Sequence, residues 1–212
     1  RAVFMNPTLK KIISFAAAAA ILWVAYYGSY LPFRKSRAYI NTLNSMGSIN
    51  SFAEFKERFS VPLNMPSPIG QEEIVRNTAN MVVNFIQQTN DPSGIDDAIN
   101  FVETNFRPII DRGRGMSFTQ NLYILGAMHE LALVKTKDLK YLAPSKNYYL
   151  KGRELGQKRP QFLFGLFDIY RAENNVEKTQ EVVNQILAQW PAEERIKGAF
   201  QEFLDRVLTN QK

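Results

Sequence analysis

The sequence predicts an all-α protein: one N-terminal transmembrane helix followed by a helical array. Two observations carry this. Ile12 to Phe33 contains no charged residue, and a run of about 20 such residues, as a helix, matches the hydrocarbon thickness of a bilayer. From Ser36 onward, apolar residues recur at helical spacing and strand alternation is absent. A third observation concerns charge. No acidic residue precedes Glu54, while Arg1, Lys10, Lys11, Arg34, Lys35 and Arg37 are basic. These six are the whole basic excess, because the other 20 of the 26 basic residues balance the 20 acidic ones. The net charge of +6 therefore sits at the flanks of the apolar run, where anionic headgroups attract it. Nucleic-acid binding loses its main argument. With no cysteine and one histidine, disulfides, thiolate metal sites and histidine-rich metal centres are excluded, and no cofactor is expected.

The expected organisation is a basic flank (1–11), a transmembrane helix (12–33), juxtamembrane helices with a proline-rich linker (34–69) and a helical domain (70–212). Trp23, Tyr26, Tyr27 and Tyr30 lie in the second half of the apolar run, where aromatic rings meet a headgroup layer. A cleavable signal peptide fits less well, since no small-x-small pattern follows the apolar core. A soluble core helix would rarely be apolar on every face. Three basic residues flank each end, so charge does not orient the span. The tail is expected on the extracytoplasmic side of the cell membrane. Translation from Met5 would make the span a simple anchor.

Ser51 to Glu54 has the form of a capping box and opens a short helix ending near Phe59. Pro62, Pro66 and Pro68 make Val61 to Ile69 an extended connection. Gln71 to Gln88 places Ile74, Thr78, Met81, Val82, Phe85 and Ile86 on one stripe. Asp91 reads as an N-cap before Pro92. The helix that follows buries Ile95, Ala98, Ile99, Val102 and Phe106, and Pro108 ends or kinks it. Arg112 to Gly115 is a loop. Ser117 to Gln120 is a second capping box, leading into Leu122, Leu125, Met128, Leu131 and Ala132. Pro144 opens a helix through Tyr148, Tyr149 and Gly152. Pro160 opens another, with Leu163, Leu166, Ile169 and Tyr170 inward. Asn174 and Asn175 form a tight turn before a helix lined by Val176, Thr179, Val183, Ile186 and Leu187. After Pro191 a last helix carries Ile196, Phe200, Phe203, Leu204, Val207 and Leu208.

Gln161 to Pro191 resembles a tetratricopeptide repeat, with Pro191 as its closing proline. Leu163, Leu166 and Tyr170 then occupy the large positions of the first helix, and Asn174 the turn usually given to glycine. Thr179, Val183 and Ile186 fall where the second helix has alanine, a large residue and alanine, so the repeat is degenerate at Ile186. Tyr148 to Pro160 is similar to the end of a preceding repeat, with Gly152 at a small position. The order of span, basic segment, Phe52 to Phe59, proline loop, Gly70 to Arg76 and helix pairs resembles the C-terminal end of O-antigen ligase or polymerase-like membrane proteins with a tetratricopeptide tail. That resemblance implies a non-catalytic interaction or scaffold region whose glycan-transfer chemistry resides in other parts of the protein. It also implies membrane lipid and another protein, or envelope-glycan machinery, as partners. The alternative is a stand-alone, single-span tetratricopeptide adaptor.

Candidate sites are few. Arg112 and Arg114, between glycines, have the chemistry to hold an anionic group, although a solvated loop explains them as well. Tyr148, Tyr149, Phe162 and Tyr170 belong to an aromatic-rich region that either binds a peptide or fills the inter-helix core. His129 has no acid–base partner at helical spacing, and Glu72, Glu73, Asp96 and Asp97 are explained by helix-end electrostatics. No glycine-rich phosphate loop, metal spacing or Ser/His/Asp set is present. Nothing in the chain reads as an active site.

Overall fold

The computed structural model describes residues 6–115 and 117–209. Arg1 of the basic flank and the start at Met5 lie outside the described residues. Among them there is no strand: α1 (Pro7–Ala25) and α2 (Leu31–Asn44) are followed by α3 (Phe52–Asn64), α4 (Gln71–Gln88), α5 (Pro92–Arg112), α6 (Phe118–Thr136), α7 (Leu142–Leu155), α8 (Pro160–Ala172), α9 (Val176–Gln189) and α10 (Glu194–Thr209). The chain forms two compact units divided after Val75.

In the first unit, α1 passes through a π-helical turn, Tyr26–Tyr30, straight into α2, giving one helix over Pro7–Asn44. Asn6 caps it, its side chain accepting from the Thr8 amide, with Pro7 at the first helical position. The helix is long and apolar enough to cross a membrane, and none of its apolar window is buried by protein. Ile12 to Tyr30, at 1.5 Å per residue, spans about 28 Å, close to a hydrocarbon core of about 30 Å. Only beyond it does the helix bury a face: Leu31, Lys35 and Tyr39 are turned inward, and α2 packs on α3. The Lys35 ammonium, 2% exposed, donates to the Met65 carbonyl at 2.7 Å and to the Gln71 side chain. Gln71 in turn donates to the Leu63 carbonyl.

The N-cap of α3 is as expected, Ser51 accepting from the Glu54 amide at 3.1 Å. Its end is not. The helix continues to Asn64 with Pro62 inside it, so the extended connection starts later than Val61. Phe55, Phe59, Pro62 and Leu63 are buried on one stripe. Burying two large side chains there outweighs the roughly 3 kcal/mol that an interior proline costs.

The second unit is built on α6. Phe118, Asn121, Leu122, Ile124, Leu125, Met128, His129, Ala132 and Leu133 are all buried, so the helix is covered on most of its circumference, as a central element must be. It packs against α5, α7 and α8, while α7 packs on α8, α8 on α9 and α9 on α10. The closeness comes from glycine facing aromatic. A Cβ on Gly126 would lie 2.6 Å from the Tyr149 ring and one on Gly165 2.4 Å from its other edge. The Tyr149 ring is thus wedged between α6 and α8. A Cβ on Gly152 would meet the Phe162 ring at 2.1 Å.

Other expectations are corrected in detail. Asp91 caps α5, accepting from the amides of Ser93 and Gly94, but Pro108 does not end it. Phe106 and Ile109 are buried on either side of the proline, and the helix runs to Arg112, closed by Gly113 at φ 67°. Ser117 makes no capping bond with its side chain. Its hydroxyl and the Gln120 side-chain oxygen Oε1 each accept from the Arg76 guanidinium at 3.1 Å, so the second capping box is an anchor for an arginine of α4 instead. The helix α7 starts at Leu142, ahead of Pro144 and after a short 3-10 turn over Leu139–Tyr141. The Asn174 turn is present, with φ 53°, and Asn175 caps α9 through the Lys178 amide. In α10 Ile196, Phe200 and Phe203 are buried, whereas Leu208 is 61% exposed.

Candidate functional site

Two polar clusters lie within the second unit, on either side of α6 and α7. His129 and Tyr148 face α5. His129 Nε2 is 2.8 Å from Glu103 Oε1, and the Tyr148 hydroxyl donates to the same oxygen at 3.1 Å. The His129 and Tyr148 rings stack with centroids 5.8 Å apart. His129 has no acid partner at helical spacing on its own helix, but Glu103 supplies one from α5. Hydrogen bonding to His129 holds the Glu103 carboxyl below its usual range, against the opposing effect of burial.

The neighbouring pair, Glu130 and Tyr149, faces the other way. The Tyr149 hydroxyl donates to Glu130 Oε2 at 2.5 Å. Burial pushes the Glu130 carboxyl up to about 7, with the Tyr149 hydrogen bond opposing and the charge of Asp168 on α8 adding to the rise. A carboxyl poised near neutrality has the proton affinity of a general acid or base, yet its hydroxyl partner is itself 1% exposed. These clusters pin helices together. Elsewhere Lys140 and Tyr141 both donate to Asp96 at 2.7 Å, which holds that carboxyl below its ordinary value.

Space for a ligand occurs on the surface. A cleft of about 330 Å³ between α8 and α10 is lined by Phe164, Phe167, Asp168, Arg171, Glu193, Arg195, Ile196 and Ala199. It combines an aromatic floor with both signs of charge. Arg195 is its freest arm, with a side chain 90% exposed although bonded to Glu193 at 3.0 Å. A second cleft, of about 580 Å³ and more polar, includes Leu150, Arg153 and Gln185.

The sequence-derived candidates are dispersed. Tyr149 and Phe162 are 1% and 0% exposed and Tyr170 is 5%, so these three rings fill the core and offer no surface to a partner. Tyr148 is half-buried against Glu103. Arg112 and Arg114 are exposed, with the Arg112 Nε donating to the Arg114 carbonyl. None of the six lines either cleft of the second unit. Among the described residues no group of three His, Cys, Asp or Glu side chains is placed to hold a metal ion. Glu103 and Glu130 escaped sequence reading because their partners lie on other helices, whereas Asp168 pairs with Arg171 on its own helix. The one local signal is a charge at the edge of an apolar stripe, as Glu103 is beside Val102 and Phe106.

No protein-family profile matches the chain, and no curated protein or solved structure matches it either. The class that stands is that of an all-α protein with one N-terminal helix long and apolar enough to span a membrane.

Proposed function

We propose that this chain is the non-catalytic interaction and scaffold region of an O-antigen ligase-like glycan-transfer membrane protein, anchored by α1 and presenting tetratricopeptide-like helix pairs. The observation that carries the reading is the interlock of α6, α7 and α8 through Gly126, Gly152 and Gly165 against Tyr149 and Phe162. Small residues facing large ones at helix crossings are what a repeat array uses to stack, and they make a rigid surface whose specificity lies in exposed side chains. The cleft between α8 and α10 is the surface best suited to an extended segment of a partner protein, with Phe164 as an apolar contact and Arg195 as a charged one. A second reading, a single-span adaptor, is supported by the one span seen among the described residues, which suffices for an anchor.

The reading frame upstream of Arg1 separates the two. Further apolar spans are expected; a stop codon just before Met5 overturns the ligase reading and leaves the adaptor. The interaction role is tested by affinity capture with the full chain in detergent. Arg195→Glu, at an exposed side chain, is expected to abolish capture of the partner without unfolding the protein. Unchanged capture rules out the cleft.

A further inference from the structure

The apolar helix meets the rest of its unit at a surface that the membrane reading leaves unexplained. Tyr30, Phe33, Arg34, Arg37, Ala38 and Asn41 fall at i, i+3, i+4, i+7, i+8 and i+11 along the helix, so they share one helix face. Together with Met65, at the end of α3, they line a cleft of about 460 Å³. Its chemistry is graded along the helix. Tyr30 and Phe33, 49% and 60% exposed, stand at the membrane end. Arg34 and Arg37 follow, both exposed, and the Asn41 amide lies beyond them.

Three facts point to the occupant. The cleft begins where the aromatic band ends: Trp23 packs against Tyr27, and Tyr26 against Tyr27 and Tyr30, with centroids 4.9 to 5.6 Å apart, and such rings settle at the headgroup boundary. Arg34 lies four residues, or about 6 Å, past Tyr30, at headgroup depth. Neither arginine pairs with a carboxylate among the described residues, and no acidic residue precedes Glu54. The Arg34 guanidinium instead lies 5.7 Å from the Tyr30 ring centroid. That contact leaves the planar fork with donors to spare for a phosphate. The third basic residue, Lys35, is not part of the face, being turned inward onto Met65 and Gln71.

We infer that this cleft binds the phosphate headgroup of one anionic phospholipid, gripped by Arg34 and Arg37 with Asn41 behind, while the acyl chains lie along Tyr30 and Phe33. The site rests on the reading of α1 as a membrane span, and its test separates the two. The full chain is reconstituted into phosphatidylcholine nanodiscs containing a minority of phosphatidylglycerol. Insertion is read from protease protection of α1, and retained lipid from native mass spectrometry after release into detergent.

One phosphatidylglycerol is expected to be retained in preference to phosphatidylcholine. Arg34→Lys with Arg37→Lys keeps every charge and removes the forks, and losing a charge-assisted hydrogen bond should lower that preference about tenfold. Lys10→Gln with Lys11→Gln, at the opposite flank, should leave it unchanged. An undiminished preference in the lysine variant means diffuse charge attraction and overturns the site, as does equal retention of both lipids by an inserted chain. Displacement of the lipid by millimolar inorganic phosphate overturns it in favour of a soluble-anion site. A chain that fails to insert overturns the span and the site together.

Discussion

The glycine–aromatic interlock predicts opposite outcomes for one chemical change at two positions. At Gly152 a methyl group would overlap the Phe162 ring, whose atoms lie 2.1, 2.4 and 2.6 Å from the added carbon. Phe162 is 0% exposed, so the ring has no free volume to retreat into, and α7 and α8 must separate. Overpacking of this kind costs about 1–3 kcal/mol, and a contact this short belongs at the upper end. Replacing glycine by alanine inside a helix returns up to about 1 kcal/mol. Gly152→Ala should therefore destabilise by about 1–2 kcal/mol. At Gly198, within α10, an added Cβ meets nothing within 4 Å. Gly198→Ala should stabilise by about 0.4–1 kcal/mol. Urea unfolding of both variants beside wild type, in one detergent and followed by helical circular dichroism, gives the comparison. If Gly152→Ala is as stable as Gly198→Ala, the ring swings aside and close approach is not what holds the array together.

Glu130→Gln should flatten the pH dependence of stability. A carboxyl raised from its ordinary value of 4.5 to about 7 leaves the folded state binding more protons than the unfolded one between those limits. Wild type therefore loses stability as pH rises through that window, and melting scans from pH 4 to 8 would show the slope vanish in the variant. Glu103→Ala leaves a buried imidazole and a hydroxyl unpartnered, at a cost of about 1–3 kcal/mol. Because Glu103 titrates low, its contribution is present above the ordinary carboxylate range and fades on acidification, so wild type and variant should converge in denaturation curves at low pH. Ser51→Ala removes the cap on the Glu54 amide and should cost about 1 kcal/mol, measured as a shift in the urea midpoint at constant slope.

Helical periodicity located the helices of the array because they bury faces broad enough to mark the sequence: Ile95, Ala98, Ile99, Val102 and Phe106 recur as α5 requires. The helix α1, which buries no residue, was legible instead as an uncharged run. Boundaries were less legible at prolines. A proline removes one backbone donor, and whether the helix survives depends on what its neighbours bury, as Leu63 and Ile109 do. Ser117 misled for a related reason. The four-residue pattern of a capping box is local, while the arginine that occupies it comes from α4. The aromatic segment from Tyr148 to Tyr170 was visible as composition, but composition does not say which rings face inward. The glycines at 126, 152 and 165 decide that, by making room for Tyr149 and Phe162.

The π turn at Tyr26–Tyr30 sets an angle. A π turn accommodates one residue more than the α-helical repeat, and each residue of an α-helix advances about 100° around the axis. The inward stripe of Leu31, Lys35 and Tyr39 is therefore fixed in azimuth against the faces of α1 by that single extra residue. Deleting one residue there would leave α1 apolar and α2 docked on α3, yet dial the faces of α1 by about 100°. The five residues act as a rotational key between the two halves of one helix.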